Sequence, residues 1–362
     1  MDKNRFASLL LPWYRENKRE LPWRKTKNPY KIWLSEVLLQ QTRVSQGLPY
    51  YLSFVKKFPT VKSLAQASER EVLRLWQGLG YYTRARNLHK CAKIVSKELA
   101  GDFPKMVDEL KKLPGIGDYT AAAIASLAFN QPAGVVDGNV FRVLSRVFGV
   151  GLNIASPTGK KYFFGLVNSL IPTETPGEFN QAMMEFGAVH CTPRNPKCEP
   201  CIFSKQCVAF HTESQHLYPV KTKPKKRKLR HFNYFVIRSG KKIWMRLRKE
   251  KDIWEGLHEF YLIESKQPMS DAKAGQSFCS ETGLPASTVS IKSIRMKQIL
   301  SHQEIRGKFL EVNCDGASDF KSPNGKFCSA SEIEKRAKPV IIADFLDRLS
   351  SSKMSNALLL NV

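Results

Sequence analysis

Two carboxylates, a tyrosine and four cysteines carry most of the chemistry this sequence can offer. Glu36 lies in Ile32-Trp33-Leu34-Ser35-Glu36-Val37-Leu38-Leu39, with apolar neighbours on nearly every side. Two readings of it stand. It is either a Glu on the one solvated stripe of a helix, or a desolvated carboxyl that stays protonated and can donate near neutral pH. Asp137 ends an apolar stretch, beside Gly138 and the amide of Asn139, and would more easily remain ionised. Two carboxyls pushed in opposite directions make an acid and an anion, as in glycoside hydrolysis.

Cys191, Cys198, Cys201 and Cys207 crowd into a single stretch, separated by 6, 2 and 5 residues. In a reducing compartment such crowding points to metal rather than disulfides. Zinc fingers usually pair two C-x2-C knuckles across a longer loop, whereas one compact, unevenly spaced loop suits a cubane [4Fe-4S] cluster better. Arg194, Lys197 and Lys205 lie in or beside the loop, so a clasp here would present cations to a phosphate backbone. The other cysteines, Cys91, Cys279, Cys314 and Cys328, are scattered and read as ordinary reduced thiols.

The elements that must position these groups can also be read. In Leu113-Pro114-Gly115-Ile116-Gly117 the Pro and the glycines stop one helix and turn the backbone tightly. Asp118-Tyr119-Thr120 then opens a second helix through Ala121, Ala122, Ala123, Ile124 and Leu127 to about Phe129. N–H groups at such a start suit a phosphate oxygen, and the helix dipole favours the negative charge. Gly78-Leu79-Gly80-Tyr81-Tyr82 is a further turn, whose tyrosines either pack locally or wedge between bases when a nucleotide is extruded.

The whole chain sets the frame. At 362 residues it suggests two domains, and 42% hydrophobic residues suffice for packed cores. Lys and Arg number 58 against 32 Asp and Glu, a net charge of +26 that points to a polyanionic partner, nucleic acid rather than membrane. No run of about 18 apolar residues occurs, and Met1-Asp2-Lys3-Asn4-Arg5 lacks a signal-peptide core, so a soluble intracellular protein is expected. Residues 1–217 read as helical, with periodicity in Phe6-Leu9-Leu10-Trp13 and Val72-Leu75-Trp76. Residues 218–230 read as a solvated basic linker. Residues 231–350 read as an α+β domain, with strands near 232–237, 243–247, 257–263 and 308–312 and helices near 272–279 and 340–349. The last dozen residues, from Ser351, read as a loose tail.

Taken together, these motifs resemble the adenine DNA glycosylases of the MutY type, within the helix-hairpin-helix glycosylases. The likeness rests on Leu21-Pro22-Trp23-Arg24, 35–42, 78–86, 113–120, 136–140, 180–187 and the four cysteines. It implies an all-α helix-hairpin-helix glycosylase domain with a [4Fe-4S] loop at 191–207, then an α+β Nudix-like domain that inspects 8-oxoguanine. The implied activity is base flipping and excision of adenine mispaired with 8-oxoguanine or guanine in double-stranded DNA. By the resemblance, Glu36 protonates the adenine at N7. Asp137 stabilises the oxocarbenium-like sugar, directly or through a transient covalent bond, and Tyr119 and Asn139 support the two carboxylates. Trp23, Arg24, Leu39 and Glu185 match the pocket for the flipped base, Gln41 and Tyr81 the residues that enter the stack, and Gly115 and Gly117 the phosphate-gripping hairpin. Ser301 and His302 match a Phe-Ser-His recognition loop, from which Leu300 departs. The resemblance further implies a monomer in the bacterial cytoplasm, associated with the nucleoid.

Position 119 separates close relatives. Glycosylases that also cleave the strand, such as endonuclease III, carry a Lys in this motif and form a Schiff base. Here the residue is Tyr119, so a monofunctional enzyme is expected. The alternatives are an endonuclease III-like glycosylase/lyase for oxidised pyrimidines, and a DNA-binding or redox-sensing iron–sulfur protein without catalysis. No Arg-Glu-x-x-Glu-Glu pattern occurs in the C-terminal half, so nucleotide hydrolysis is not expected there.

Overall fold

The computed structural model describes residues 3–222, 226–314, 320 and 324–359. The chain forms two compact units, Met1–Ala67 with Arg86–Lys223, and Ser68–Ala85 with Pro224–Val362.

The helical part begins with α1 (Lys3–Asn17), α2 (Pro29–Leu39), α3 (Val44–Lys57), α4 (Val61–Gln66), α5 (Glu69–Trp76) and α6 (Tyr82–Glu98). It continues through α7 (Val107–Leu110), α8 (Asp118–Phe129), α9 (Gly138–Phe148), α10 (Pro157–Leu170), α11 (Pro176–Val189) and α12 (Val208–His211). Asn28 starts α2: its side chain accepts from Lys31 N at 3.1 Å, and Pro29 at the first position supplies a helical φ. Residues 32–38 of α2 are all buried, so no solvated stripe is left for Glu36. The partner is α8, whose small Ala122 and Ala123 form one core cluster with Ile32, Leu127 and Val135. Gly117 opens α8, and Asn130 closes it in the left-handed region at φ 57°.

A second cluster joins α1, α9, α10 and α11 around Phe6, Phe163, Phe179, Phe186 and Phe203, with the Phe6 and Phe203 rings stacked 4.5 Å apart. Gly187 on α11 allows a close approach, because a Cβ there would stand 2.6 Å from Cβ of Asn139.

In the other unit a seven-stranded mixed sheet is built from β1 (Lys228–Ser239), β2 (Lys242–Leu247), β3 (His258–Glu259), β4 (Tyr261–Ser265), β5 (Val289–Ile299), β6 (Gln303–Asn313) and β7 (Gly325–Cys328). The strand order is β3-β2-β1-β6-β5, with β4 on β1 and β7 on β2. β1 and β6 are parallel, Tyr234 opposite Phe309, and the other pairs are antiparallel. α13 (Asp271–Thr282), α14 (Ala330–Glu334) and α15 (Val340–Leu359) complete it. One face of the sheet packs Phe235 against Phe278 of α13, and the other stacks Phe309 on Phe345 of α15 at 4.2 Å. With both faces covered, the middle of β1 is buried without alternation.

Two stretches depart from expectation. α15 continues to Leu359, past Ser351 where a loose tail is expected. No Pro or Gly interrupts it, and the Ser350 and Ser351 hydroxyls donate back to the carbonyls of Leu346 and Asp347. The basic stretch ends inside β1 rather than in solvent. Arg230 is buried because it pairs with Asp252 and Glu264, each at 2.6 Å.

Candidate active site

Glu36, Tyr119 and Asp137 come from three segments and share one cavity of about 630 Å³. α2 brings Glu36 to its wall, α8 brings Tyr119 and the turn into α9 brings Asp137. Glu36 is 7% exposed. Burial pushes its carboxyl up to about 7; the Tyr119 hydroxyl and Arg24 oppose the rise and the Asp137 charge adds to it. The Tyr119 hydroxyl has two acceptors within reach, the Glu36 carboxylate and Met184 Sδ at 3.3 Å, and the charged oxygen is the stronger.

Asp137 is the N-cap of α9. One carboxylate oxygen accepts from the N–H groups of Asn139 and Val140, both at 2.8 Å, and the other accepts from Asn139 Nδ2 at 2.8 Å. Burial raises this carboxyl too, but these three bonds and the Arg142 charge oppose the rise. Both carboxyls are thus raised rather than pushed in opposite directions, and what separates them is their environment. Glu36 has a hydrophobic wall, and Asp137 has donors fixed at a helix start.

At the far side of the cavity, Glu185 on α11 is fully buried between two arginines. Arg19 donates from its backbone N and Nε at 2.8 Å and from Nη2 at 2.6 Å, and Arg24 donates from Nη2 at 2.7 Å. Burial favours the protonated form, yet these bonds hold the carboxyl down at about 2. Trp23 and Leu39 supply apolar wall. Trp23, Arg24, Leu39, Asn139 and Glu185 line the same cavity as the two carboxyls. Gln41 is exposed just beyond α2 at φ 55° and is absent from the lining.

The hairpin lies elsewhere in the same unit. Gly115 holds φ +78°, where a Cβ would stand 2.8 Å from Cβ of Asn87, whereas Gly117 at φ −95° has open space. No side chain caps the start of α8, so its first N–H groups face outward. In the other unit, the Tyr81 hydroxyl donates to Ser301 Oγ at 2.6 Å. Ser301 and the exposed His302 form the tip between β5 and β6.

All four cysteines of the loop line one pocket. Among the described residues no three His, Cys, Asp or Glu side chains converge on a point that would hold a single metal ion. Nitrogen donors do reach the sulfurs: Arg146 Nη1 lies 3.4 Å from Cys191 Sγ, Phe203 N lies 3.4 Å from Cys201 Sγ, and Gln215 Nε2 lies 3.8 Å from Cys198 Sγ. Such donors suit thiolates. Arg142 spans the loop and the carboxylate pocket, donating to the carbonyl of Cys191 at 2.8 Å and to Asn139 Oδ1 at 2.9 Å.

Residues 34–161, which carry Glu36, Tyr119 and Asp137, match the HhH-GPD superfamily of base excision DNA repair proteins, and residues 233–348 match the NUDIX domain. The adenine DNA glycosylase of Buchnera aphidicola subsp. Schizaphis graminum is 38% identical over 262 residues, 72% of this chain and 76% of that protein. The chain belongs to the adenine DNA glycosylase family.

The Homo sapiens adenine DNA glycosylase is 46% identical over 213 residues, 56% of this chain and 39% of its own length. Among solved structures, a thermostable thymine-DNA glycosylase covers 58% of this chain and 97% of its own, at TM-score 0.54 and 32% identity. This adenine DNA glycosylase thus joins a helical helix-hairpin-helix part to a Nudix-like mixed sheet. Arg19 and Arg142 escaped the sequence reading. Arg19 hides in the charged run Lys18-Arg19-Glu20, and its one signal is adjacency to Leu21-Pro22-Trp23-Arg24. Arg142 lies one turn beyond Gly138 on α9 and carries no local signal. Among the described residues no helix is long and apolar enough to cross a membrane.

Proposed function

We propose that this glycosylase flips adenine out of duplex DNA where it lies opposite 8-oxoguanine or guanine, and breaks its N-glycosidic bond without cutting the strand. The observation that carries the reading is the contrast between two carboxyls in one cavity, Glu36 raised to about 7 and Asp137 clamped by three N–H donors. Adenine is a poor leaving group until protonated, so Glu36 donates its proton to N7 as the bond lengthens. The electron pair leaves with the base, Asp137 faces the cationic sugar that remains, and a water adds at the anomeric carbon and gives up a proton to leave an abasic site. Tyr119 orients Glu36, and Asn139 orients Asp137. The Glu185–Arg24 pair fixes the wall on which the flipped base rests, with Trp23 and Leu39 against its apolar surface. Because position 119 offers a phenol and not an amine, no Schiff base forms there.

DNA is held by sequence-independent contacts in this reading: the N–H groups at Gly115 and Gly117 and the cations of the cysteine loop. Gln41 and Tyr81 enter the base stack, and Ser301 and His302 contact 8-oxoguanine. The protein acts as a monomer in the cytoplasm, at the nucleoid. Cys191, Cys198, Cys201 and Cys207 would hold a [4Fe-4S] cluster, with which their shared pocket and nitrogen donors are consistent. When bound, the cluster supplies a rigid clasp for Arg194, Lys197 and Lys205. The domain reading carries over as residues 1–217 for excision and 231–350 for inspection of the opposite base.

The test is incubation with duplexes holding adenine opposite 8-oxoguanine, followed by alkaline cleavage of abasic sites and by borohydride trapping in parallel. Alkali-dependent cleavage with no trapped adduct is expected. No adenine release there, with excision from a second duplex holding thymine glycol and a trapped adduct, would show an endonuclease III-like enzyme.

A further inference from the structure

The sheet-containing unit holds a cavity of about 490 Å³ that base excision does not use. Its wall includes four cations, Arg74, Arg238, Lys241 and Lys338, against two carboxylates, Glu334 and Asp347. Between them lie the apolar side chains of Ile243, Ile333 and Leu346. Lys338 is the informative member. It is 5% exposed, and its ammonium donates one hydrogen bond, to the carbonyl of Arg336 at 2.9 Å. Among the described residues it makes no ion pair with a carboxylate; Asp347 and Glu334 act on it only at longer range. Burial, with Arg74 beside it, pushes the ammonium down to about 8. Arg238 differs in having an ion-pair partner. Its Nε is buried with no hydrogen-bond partner, and Glu311 stands 3.4 Å away.

A buried cation with spare donors is costly unless something anionic completes it. We propose that this cavity binds a small organic phosphate monoester, with its phosphate on Lys338 between Arg74, Arg238 and Lys241 and its apolar body against Ile243, Ile333 and Leu346. The donors select the class: with Arg238 paired to Glu311 one positive charge remains in excess, and a phosphate monoester offers three acceptor oxygens to Lys338, Arg74 and Lys241 where a carboxylate offers two. The apolar wall argues against a hydrated DNA backbone, whose phosphodiesters carry one charge each. The backbone N–H of Lys338 donates to Gln77 Oε1 at 3.4 Å, which seats the cavity against the segment that carries Arg74.

Isothermal titration of the full chain with phenyl phosphate tests this, with inorganic phosphate and undamaged duplex DNA as comparisons. Saturable one-to-one binding is expected, tighter than for inorganic phosphate. Lys338→Met keeps the length of the side chain and removes the charge, and should weaken binding roughly tenfold or more. It should leave adenine excision unchanged. Lys241→Ala, at an exposed position that does not threaten the fold, should weaken binding by a smaller factor. The proposal is overturned if phenyl phosphate gives no saturable heat in the millimolar range, or if folded Lys338→Met binds as tightly as the parent. It is also overturned if duplex DNA displaces phenyl phosphate, which would assign these cations to the DNA backbone.

Discussion

Holding a carboxyl near neutrality costs stability, and at Glu36 the cost has a sign and a pH window. Its pKa rises from 4.5 to about 7 on folding, which corresponds to roughly 3 kcal/mol. Below pH 4.5 the group is protonated in folded and unfolded chains alike, and folding loses nothing. As pH climbs through 7, the folded state must either hold the proton or bury a charge, and its stability falls. Glu36→Gln removes the titration. We expect this variant to be more stable than the parent at pH 8 by up to about 3 kcal/mol, with the gap closing near pH 4, as read by urea unfolding at both pH values. The same substitution should abolish excision while DNA binding survives. In the parent, the single-turnover excision rate should fall about tenfold per pH unit above 7. A rate that stays flat from pH 6 to 9 would remove Glu36 as the proton donor.

At the scale of elements, Asp137 caps α9 as well as facing the cavity, and the two roles can be separated. Asn is as good an N-cap as Asp, whereas Ala forfeits about 1 kcal/mol. Asp137→Asn should therefore keep the melting temperature and lose excision, while Asp137→Ala loses both; an Asn variant that melts like Ala would make the loss of activity a folding effect. The hairpin divides in the same way. Gly115→Ala meets a positive φ and the Asn87 side chain, and should lower stability by about 1 kcal/mol or more. Gly117→Ala has room, so it should leave melting unchanged and weaken only DNA affinity. These elements were legible because local signals bound them, as Pro114 and Gly117 do before α8. Glu36 was half legible. Its apolar neighbours allowed a solvated stripe until Ala122 and Ala123 brought α8 against α2. β5 was not legible, since it is an exposed strand at the sheet edge carrying Lys292, Arg295 and Lys297, which mask any alternation. Arg230 read as linker for a similar reason, because its partners Asp252 and Glu264 lie far along the chain and long-range pairing leaves no mark on local composition.

At the scale of the whole molecule, the charge of +26 predicts DNA affinity that falls steeply with salt, but charge alone does not say which cations count. Each phosphate contact contributes about −0.9 to the slope of log affinity against log salt. Arg194 and Lys197 line a cavity of about 790 Å³ together with Arg146 and Cys198, and Arg194, Lys197 and Lys205 are all exposed. If the cysteine loop presents these three to the backbone, replacing all of them with Ala should flatten the slope by up to about 3. Cys198→Ser makes the sharper test, because it leaves every one of those charges in place. Loss of one thiolate should abolish absorbance near 400 nm, roughly where iron–sulfur centres absorb, and release the loop from its clasp. The salt slope should then flatten by a similar amount with net charge unaltered. A serine variant that loses the absorbance but keeps the parental slope would show that these cations reach DNA without a cluster to present them. The mutation would then have separated the metal from the electrostatics.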